Sequence, residues 1–368
     1  MSDVARFTTD GLPPLALHRG SGEPAEFRGL FGNTSIMREV FQRIDRVGRT
    51  DVTVLLTGES GTGKELAARA LHDVSTRHAR PFVALNCSAL PADLVESELF
   101  GHTRGAFTGA VRDHGGLFEA AHGGTLFLDE IGDLGAPAQA KVLRALENGE
   151  VMRVGGTRTT HVNVRLIAAT NRPLEAMVEM GHFREDLLYR LKVIAITLPP
   201  LRERRADIAL LVHHFLQVYG ARHTAMVQAI SPEALTLLEH YAWPGNVREL
   251  RNAIEGAVVM CDGDRIEVRH LPPTIVSAGA IELEADEQAA RSLVAATQHL
   301  PFAAAREQAL QAFDRAFLAA ALDRHGGNIA RTARALGLHR QSLQKLLARR
   351  SMRAKRDQLA PPTEPTDS

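Results

Sequence analysis

Residues 58–65 of the chain read GESGTGKE, which sets glycines at 58, 61 and 63 around a single lysine, Lys64. Glycine lets a backbone curl until successive N–H groups face inward. Such a curl at the start of a helix, with a lysine beside it, binds the oxygens of a polyphosphate. The run VTVLL at 52–56 reads as a strand and LAARALHDV at 66–74 as an amphipathic helix, so the loop joins strand to helix as that chemistry requires. Gly58, Glu59, Ser60, Gly61, Thr62, Gly63, Lys64 and Glu65 are the expected phosphate cradle. One position departs from the pattern. Glu65 stands where a serine or threonine hydroxyl would touch Mg2+, so the metal of a nucleotide needs another ligand.

Residues 123–130, GGTLFLDE, supply one, because an apolar strand there ends in Asp129 and Glu130. Carboxylates at the C-terminal end of a parallel strand lie where open α/β sheets bind ligands. Asp129 is placed to hold Mg2+, directly or through water, and Glu130 to act as general base toward the attacking water. A single Asp after a strand is commonly a helix N-cap, but two adjacent acids following a phosphate loop favour the catalytic reading. A third stretch, GHTRGAFTGA at 101–110, poses a different problem. Gly105, Ala106, Phe107, Thr108, Gly109 and Ala110 have no regular face along which to pack, so the aromatic ring is expected at the crown of a contact arm.

Five short β-branched runs near 52–56, 81–85, 125–129, 164–170 and 193–198 alternate with helical patterns, which predicts an α/β domain with a mainly parallel sheet over residues 28–198. Residues 199–272 are patterned for helices alone, with Ser231 before Pro232 as N-cap and first-turn proline. A linker is expected over 273–304, helices over 305–356 and a disordered tail over 357–368. Residues 1–27 read as a short disordered tail, too small for a sensor domain, so control is expected in trans from an inhibitory or co-activating protein.

The 43 basic and 43 acidic residues cancel, but not locally. Ten Lys or Arg and no acid fall between Arg324 and Arg356, which calls for an anionic partner. No apolar run is long enough to cross a bilayer and no secretory leader is visible, which predicts a cytoplasmic protein without membrane insertion. Cys87 and Cys261 form no CxxC pair and are expected to be buried, reduced thiols.

The stretches GESGTGKE, LNCSAL, ELFGHTRGAFTGA, GGTLFLDE, RVGG, AATN, FREDLLYRL, LPPLRERRADI and WPGNVREL occur in that order. Over residues 28–272 they resemble the AAA+ domain of the sigma-54-dependent transcription activators, the bacterial enhancer-binding proteins. The basic C-terminal end is similar to their Fis-type helix-turn-helix, and in that family Glu also follows the loop lysine. The resemblance implies a three-layer α/β sandwich, a helical lid and an ATP- and Mg2+-dependent ring, typically a hexamer. It implies that the ring binds enhancer DNA and uses the arm to remodel the closed complex of sigma-54 RNA polymerase into the open one. It further implies roles for Asn86 as a switch paired with Glu130, and for Thr170 and Asn171 at the sensor I position. Arg248 matches the sensor II position. Arg184 and Arg190 correspond to arginine fingers that reach a neighbouring subunit's nucleotide, and residues 149–156 to a second loop flanking the arm.

The segment NIARTARALGLHRQSLQKLLARR reads as two short helices hinged near Gly337, with stripes of Ile329, Ala333, Leu336 and of Leu343, Leu346, Leu347. The second helix would present His339, Arg340, Gln341 and Gln344 to a major groove, with Lys345, Arg349 and Arg350 for phosphates. A preceding helix at 305–324, carrying Leu310, Phe313, Phe317 and Leu318, is expected to pair with its copy, which predicts palindromic sites. Two other classes share part of this pattern: a replication initiator or helicase loader, which has no use for the arm, and a repressor that holds nucleotide only as a ligand, which has no use for Glu130.

Overall fold

The computed structural model describes residues 26–107, 110–222, 227–281 and 300–349, together with 288 and 298. They fall in two compact units divided after Ile281. In the first, five parallel strands form one sheet: β1 (Val54–Thr57), β2 (Phe82–Asn86), β3 (Thr125–Asp129), β4 (Arg165–Thr170) and β5 (Ile194–Thr197). Their order across the sheet is β5-β1-β4-β3-β2. The sheet is wholly parallel, where the sequence predicts a mainly parallel one, and its strands coincide with the five predicted runs to within two residues.

Alternation along the strands makes the three layers. Leu55, Leu126, Leu128, Leu166 and Ala168 point to one face, where Val95 and Leu99 of α3 (Ala92–Phe100), Val142 of α4 (Ala136–Asn148) and Leu187 of α5 (Glu185–Leu191) cover them. Val54, Leu56, Phe127, Ile167 and Ala169 point to the other, under Met37 and Ile44 of α1 (Ser35–Gly48) and Ala67 and Leu71 of α2 (Lys64–Asp73). Strands buried on both faces carry continuous apolar runs rather than alternation with polar residues, which is why they read so clearly in the sequence. Arg165, at the start of β4, is fully buried and donates from Nη1 to Gly48 O (2.8 Å) and Leu71 O (3.3 Å) and from Nη2 to Val47 O (3.2 Å). A cation at the carboxyl ends of α1 and α2 meets the negative ends of both helix dipoles.

Residues 208–281 form the second core of this unit. It is built from α6 (Ile208–Arg222), α7 (Pro232–His240) and α8 (Asn246–Met260) around Trp243, whose indole N–H donates to Leu238 O at 2.7 Å. Ser231 caps α7, accepting from Ala234 N, as the Ser-Pro pair predicts. Two expectations need correction. A short parallel pair, Ala229–Ile230 with Arg265–Ile266, interrupts the all-helical pattern, because it buries Ile266 completely. Residues 273–281, expected to be linker, are helical, because Ile275 and Val276 find this apolar core.

The second unit holds α9 (Phe302–Arg324), α10 (Ile329–Ala335) and α11 (Arg340–Arg349). Helix α9 starts three residues before the expected boundary, directly after Pro301. Leu318, Leu322, Ala333, Leu343 and Leu347 make its core, joined by Ile329, Leu336 and Leu346, so both predicted stripes face inward. Asn328 caps α10 through Ala330 N and Arg331 N, and Gly337 takes φ +65° in the turn to α11. Glu26–Phe27, expected to belong to the N-terminal tail, instead pair antiparallel with Leu30–Phe31, because Phe27 stacks on Phe41 of α1; residues 1–25 and 357–368 of the expected tails lie outside the described residues. Cys87 is buried, but Cys261 is only half-buried, contrary to expectation, since it ends α8 at the edge of the lid. No helix among the described residues is long and apolar enough to cross a membrane.

Replacing Trp243 with Ala should lower the unfolding free energy of the lid by about 3–5 kcal/mol, the range for emptying a large aromatic site. A fall in the urea midpoint of the helical circular-dichroism signal checks it.

Candidate functional site

The C-terminal ends of β1, β4, β3 and β2 lie side by side, with Thr57 paired to Thr170 and Asn86 to Asp129. The loop 58–65 rises from β1 at this edge. Gly58, Gly61 and Gly63 take φ of +145°, +79° and +103°, left-handed conformations that suit glycine. Lys64 is 6% exposed, donates to Gly58 O (3.0 Å) and Glu59 O (3.3 Å) and stands 3.5 Å from Glu130 Oε1. Its ammonium crosses the mouth of the curl, where phosphate oxygens would replace the carbonyls. Glu65 turns to solvent and pairs with Arg69 at 3.2 Å.

Asp129 ends β3 and accepts Glu130 N at 3.1 Å. Burial, reinforced by the adjacent Glu130 charge, raises its pKa above the ordinary aspartate range. Asp129 offers the carboxylate oxygens that a hard divalent cation takes, while the neighbouring Glu130 is ion-paired with Lys64. Glu130 itself sits at φ 51°, ψ 51°, a left-handed conformation that costs a non-glycine residue about 1–3 kcal/mol and often marks a functional position. Its Oε2 accepts the backbone N–H of Asn171 at 3.1 Å, just past the buried Thr170. The structure thus brings together Lys64, Asp129, Glu130 and Asn171.

Asn86 is a different case. It lies beside Asp129, but its Oδ1 accepts Ser88 N (2.9 Å) and Ser88 Oγ (2.7 Å), and no hydrogen bond joins it to Glu130. The expected pairing does not form in this conformation, in which a local Asx turn sets the orientation of the amide. Arg184 precedes α5 and pairs with Asp186 (2.7 Å) on the same turn. Arg190 donates to Leu146 O and lines a cavity of about 400 Å3 with Asp51, Thr53, Asn163, Val164 and Val193, at the N-terminal edge of the sheet. Arg190 is therefore remote from the phosphate loop of its own chain.

The lid reaches that loop. Val247 N and Arg248 N, in the first turn of α8, donate to Gly61 O at 3.0 and 3.3 Å, and Arg248 Nη1 donates to Ser60 Oγ at 2.9 Å. A Cβ at Gly61 would meet Gly245 O at 2.2 Å, so only glycine permits the approach. Two contacts escaped the sequence reading. Asn246, at φ 52° and fully buried, donates to Glu59 Oε2 (3.2 Å) and Ser60 O (3.0 Å), while Arg202 clasps Glu59 with bonds of 2.6 and 2.8 Å. Both residues lie in stretches whose resemblance is clear, LPPLRERRADI and WPGNVREL, but only contact with Glu59 distinguishes them from ordinary polar residues.

The arm leaves α3 through a two-residue antiparallel ladder, Gly101–His102 with His114–Gly115. Gly105 N donates to Ala110 O and Ala110 N to Phe107 O, which closes the crown; Thr108 and Gly109 lie outside the described residues. Phe107 is 39% exposed and rests edge-on against His102, with centroids 5.0 Å apart, a partner that the sequence pattern gave no sign of. The loop 149–156 flanks it. Thr103 N donates to Val154 O, Val154 N to Gly101 O, and a Cβ on Gly155 would stand 2.8 Å from Ala106 Cβ. In the second unit, His339, Arg340, Gln341, Gln344 and Lys345 are exposed along α11, whereas the side chains of Arg349 and Arg350 are outside the described set. On α9, Leu318 is buried within the unit; Leu310, Phe313 and Phe317 are exposed.

Three family matches cover the chain in succession: the sigma-54 interaction domain at residues 30–197, the AAA+ ATPase lid domain at 202–288 and the Fis family of bacterial regulatory proteins at 309–356. The transcriptional regulatory protein ZraR of Klebsiella oxytoca is 47% identical over 326 residues, 89% of this chain and 70% of its own length. The DNA-binding transcriptional regulator NtrC of Azospirillum brasilense is 42% identical over 357 residues, 94% and 74% respectively. Crystal structures of NtrX from Brucella abortus in complex with ADP and with ATP superpose with a TM-score of 0.63 at 35% identity, covering 88% of this chain and 70% of theirs.

Hydrogen bonds from Arg202, then from Asn246, hold Glu59 down to a pKa of about 2. A depressed carboxylate adds stability above its unfolded pKa, near 4.5, and that contribution is lost as pH falls through about 2. The difference in melting temperature between wild type and Glu59→Gln should therefore narrow steadily from pH 4.5 to pH 2, a trend that scanning calorimetry at stepped pH would reveal.

Proposed function

Since this chain belongs to the sigma-54-dependent transcription activators, we propose that it is an ATPase that converts nucleotide hydrolysis into opening of a sigma-54 RNA polymerase promoter complex. The observation that carries the reading is the convergence of Lys64, Asp129, Glu130 and the Asn171 N–H at one sheet edge, with a projecting aromatic arm elsewhere on the same body.

In the proposed reaction the N–H groups of residues 58–65 and the Lys64 ammonium hold the β- and γ-phosphates of ATP. Asp129 would hold Mg2+, which would supply positive charge toward the phosphate oxygens. Glu130 takes a proton from water as its oxygen bonds to the γ-phosphorus, and the bond to the bridging oxygen of ADP breaks, releasing phosphate. The Glu130 carboxylate is aimed by Lys64 and the Asn171 N–H, which fix both of its oxygens. Arg248 contacts the loop from the lid, so it would sense the phosphates within one chain. Arg184 and Arg190 would serve a neighbouring protomer. The remoteness of Arg190 from its own loop supports that division, which makes turnover depend on ring assembly.

The arm would be the output. The loop 149–156 is bonded to its stem through Val154, so the two would move together and carry Phe107 against the sigma-54 subunit. The exposed His339, Arg340, Gln341 and Gln344 would read bases of enhancer DNA and the exposed Lys345 its phosphates, to which Arg349 would add a further contact. Exposed Leu310, Phe313 and Phe317 on α9 would pair two copies over a palindromic site.

The deciding experiment is open-complex formation by purified sigma-54 polymerase on a supercoiled template. ATP should support it with this protein, and a non-hydrolysable analogue should not; equal opening with the analogue overturns the reading. Glu130→Gln should bind ATP with near wild-type affinity and lose at least about a hundredfold in turnover, as expected for removal of a general base. Phe107→Ala should keep ATP turnover within about twofold while abolishing open-complex formation, because the ring lies outside the phosphate site; parallel phosphate-release and permanganate-footprinting assays separate the two.

A further inference from the structure

Behind the phosphate loop lies a charged side chain to which the proposed chemistry assigns no task. Arg204, in the turn between the sheet and the lid, is 3% exposed. Its Nη2 donates to Thr62 O at 3.2 Å, its Nη1 lies 3.1 Å from Met37 Sδ, and its Nε has no hydrogen-bond partner. No carboxylate among the described residues is salt-bridged to it. Asp207, the acid whose field reaches it, spends its oxygens on Asn33 N (2.6 Å), Thr34 N (3.0 Å) and Thr34 Oγ1 (2.8 Å) at the start of α1. Burial accordingly pulls the guanidinium down to about 10, still charged at neutral pH.

A buried cation without a paired anion is costly, several kcal/mol in desolvation alone, so a fold that keeps one gives it something to do. The geometry points to the loop. Every peptide described is trans, and in a trans peptide the carbonyl and the following N–H face opposite ways. With Thr62 O drawn toward Arg204, the Gly63 N–H faces away from it, toward the mouth of the curl. That N–H has no acceptor among the described residues, and Gly63 immediately precedes α2, whose positive end adds to the same mouth.

We infer that Arg204 is a positioning residue for nucleotide binding: its guanidinium fixes the Thr62–Gly63 peptide so that the Gly63 N–H meets a phosphate oxygen, and its unpaired charge is matched when the polyphosphate arrives. The inference rests on the reading of residues 58–65 as the phosphate cradle. It differs from a purely structural role in one measurable respect. An unmatched buried charge does not help the empty protein, so replacing it with an apolar side chain of similar size should leave the nucleotide-free fold as stable or more so, while nucleotide affinity falls.

The test is titration calorimetry with ATP and with ADP, alongside nucleotide-free melting curves, for the wild-type chain, Arg204→Met and Arg204→Gln. Arg204→Met should weaken both nucleotides at least about tenfold, the scale of one lost charge-assisted arrangement, with no fall in the nucleotide-free melting temperature. Arg204→Gln, which keeps a donor for Thr62 O and loses the charge, should also weaken both, by at least about threefold, and stands as the decisive variant should Arg204→Met not fold. Nucleotide affinity equal to wild type in either folded variant, or a melting temperature that drops in step with affinity, overturns the inference. A wild-type chain that binds no nucleotide removes the phosphate reading and this inference together, whereas wild-type binding with unaffected variants removes this inference alone.

Discussion

The carbonyl of Gly61 accepting two N–H groups from the first turn of α8 is the contact on which the working part of the molecule depends. An α-helix begins with N–H groups that its own backbone cannot satisfy, and here a phosphate-loop carbonyl satisfies two of them. The consequence is electrostatic as well as geometric. Helix α2 starts from Gly63 and α8 caps on Gly61, so two positive helix ends converge on one small loop. Glu59 lies between them and Arg202, and its carboxylate, bonded to Arg202 and Asn246, binds the lid to the loop without occupying the cradle. None of this survives a side chain at position 61, because Gly245 O already stands where a Cβ would be.

A second constraint acts across the sheet edge. The β3 strand ends in two adjacent acids, and the chain carries Glu130 in a left-handed conformation. The turn separates the carboxylates. Asp129 stays against the strand end, partly buried, while Glu130 swings to Lys64 and the Asn171 N–H. In the proposed role of Glu130 as a base, being held on both oxygens would leave less reorganisation for the moment of reaction.

The sequence exposed most of the sheet and much of the site, for reasons that differ by element. Strands buried on both faces must be apolar throughout, so β1 to β5 stood out as runs, and the glycines of the phosphate loop did so because few other residues tolerate their conformations. Contacts between distant segments left no such trace. Nothing in the spacing of Glu59, Arg202 and Asn246 distinguishes a lid clasp from three solvated polar residues. Likewise, His102 beside Phe107 and the Asx turn of Asn86 depend on where a loop folds back rather than on any period. The helix at 273–281 looks like linker in the sequence because the pair that enters the core, Ile275 and Val276, is too small to announce a face until that core is known.

The stem of the arm has only two paired rungs, Gly101 with Gly115 and His102 with His114. So short a ribbon resists twisting poorly by itself. Its stiffness is borrowed from Val154, which is bonded on both sides to the same stem although it stands 51 residues further along the chain than Thr103. Two anchored segments running side by side behave as a parallelogram linkage rather than a single pivot. A shift of either at its root would carry the stem with little rotation, so the ring of Phe107 would keep its orientation while its position changed.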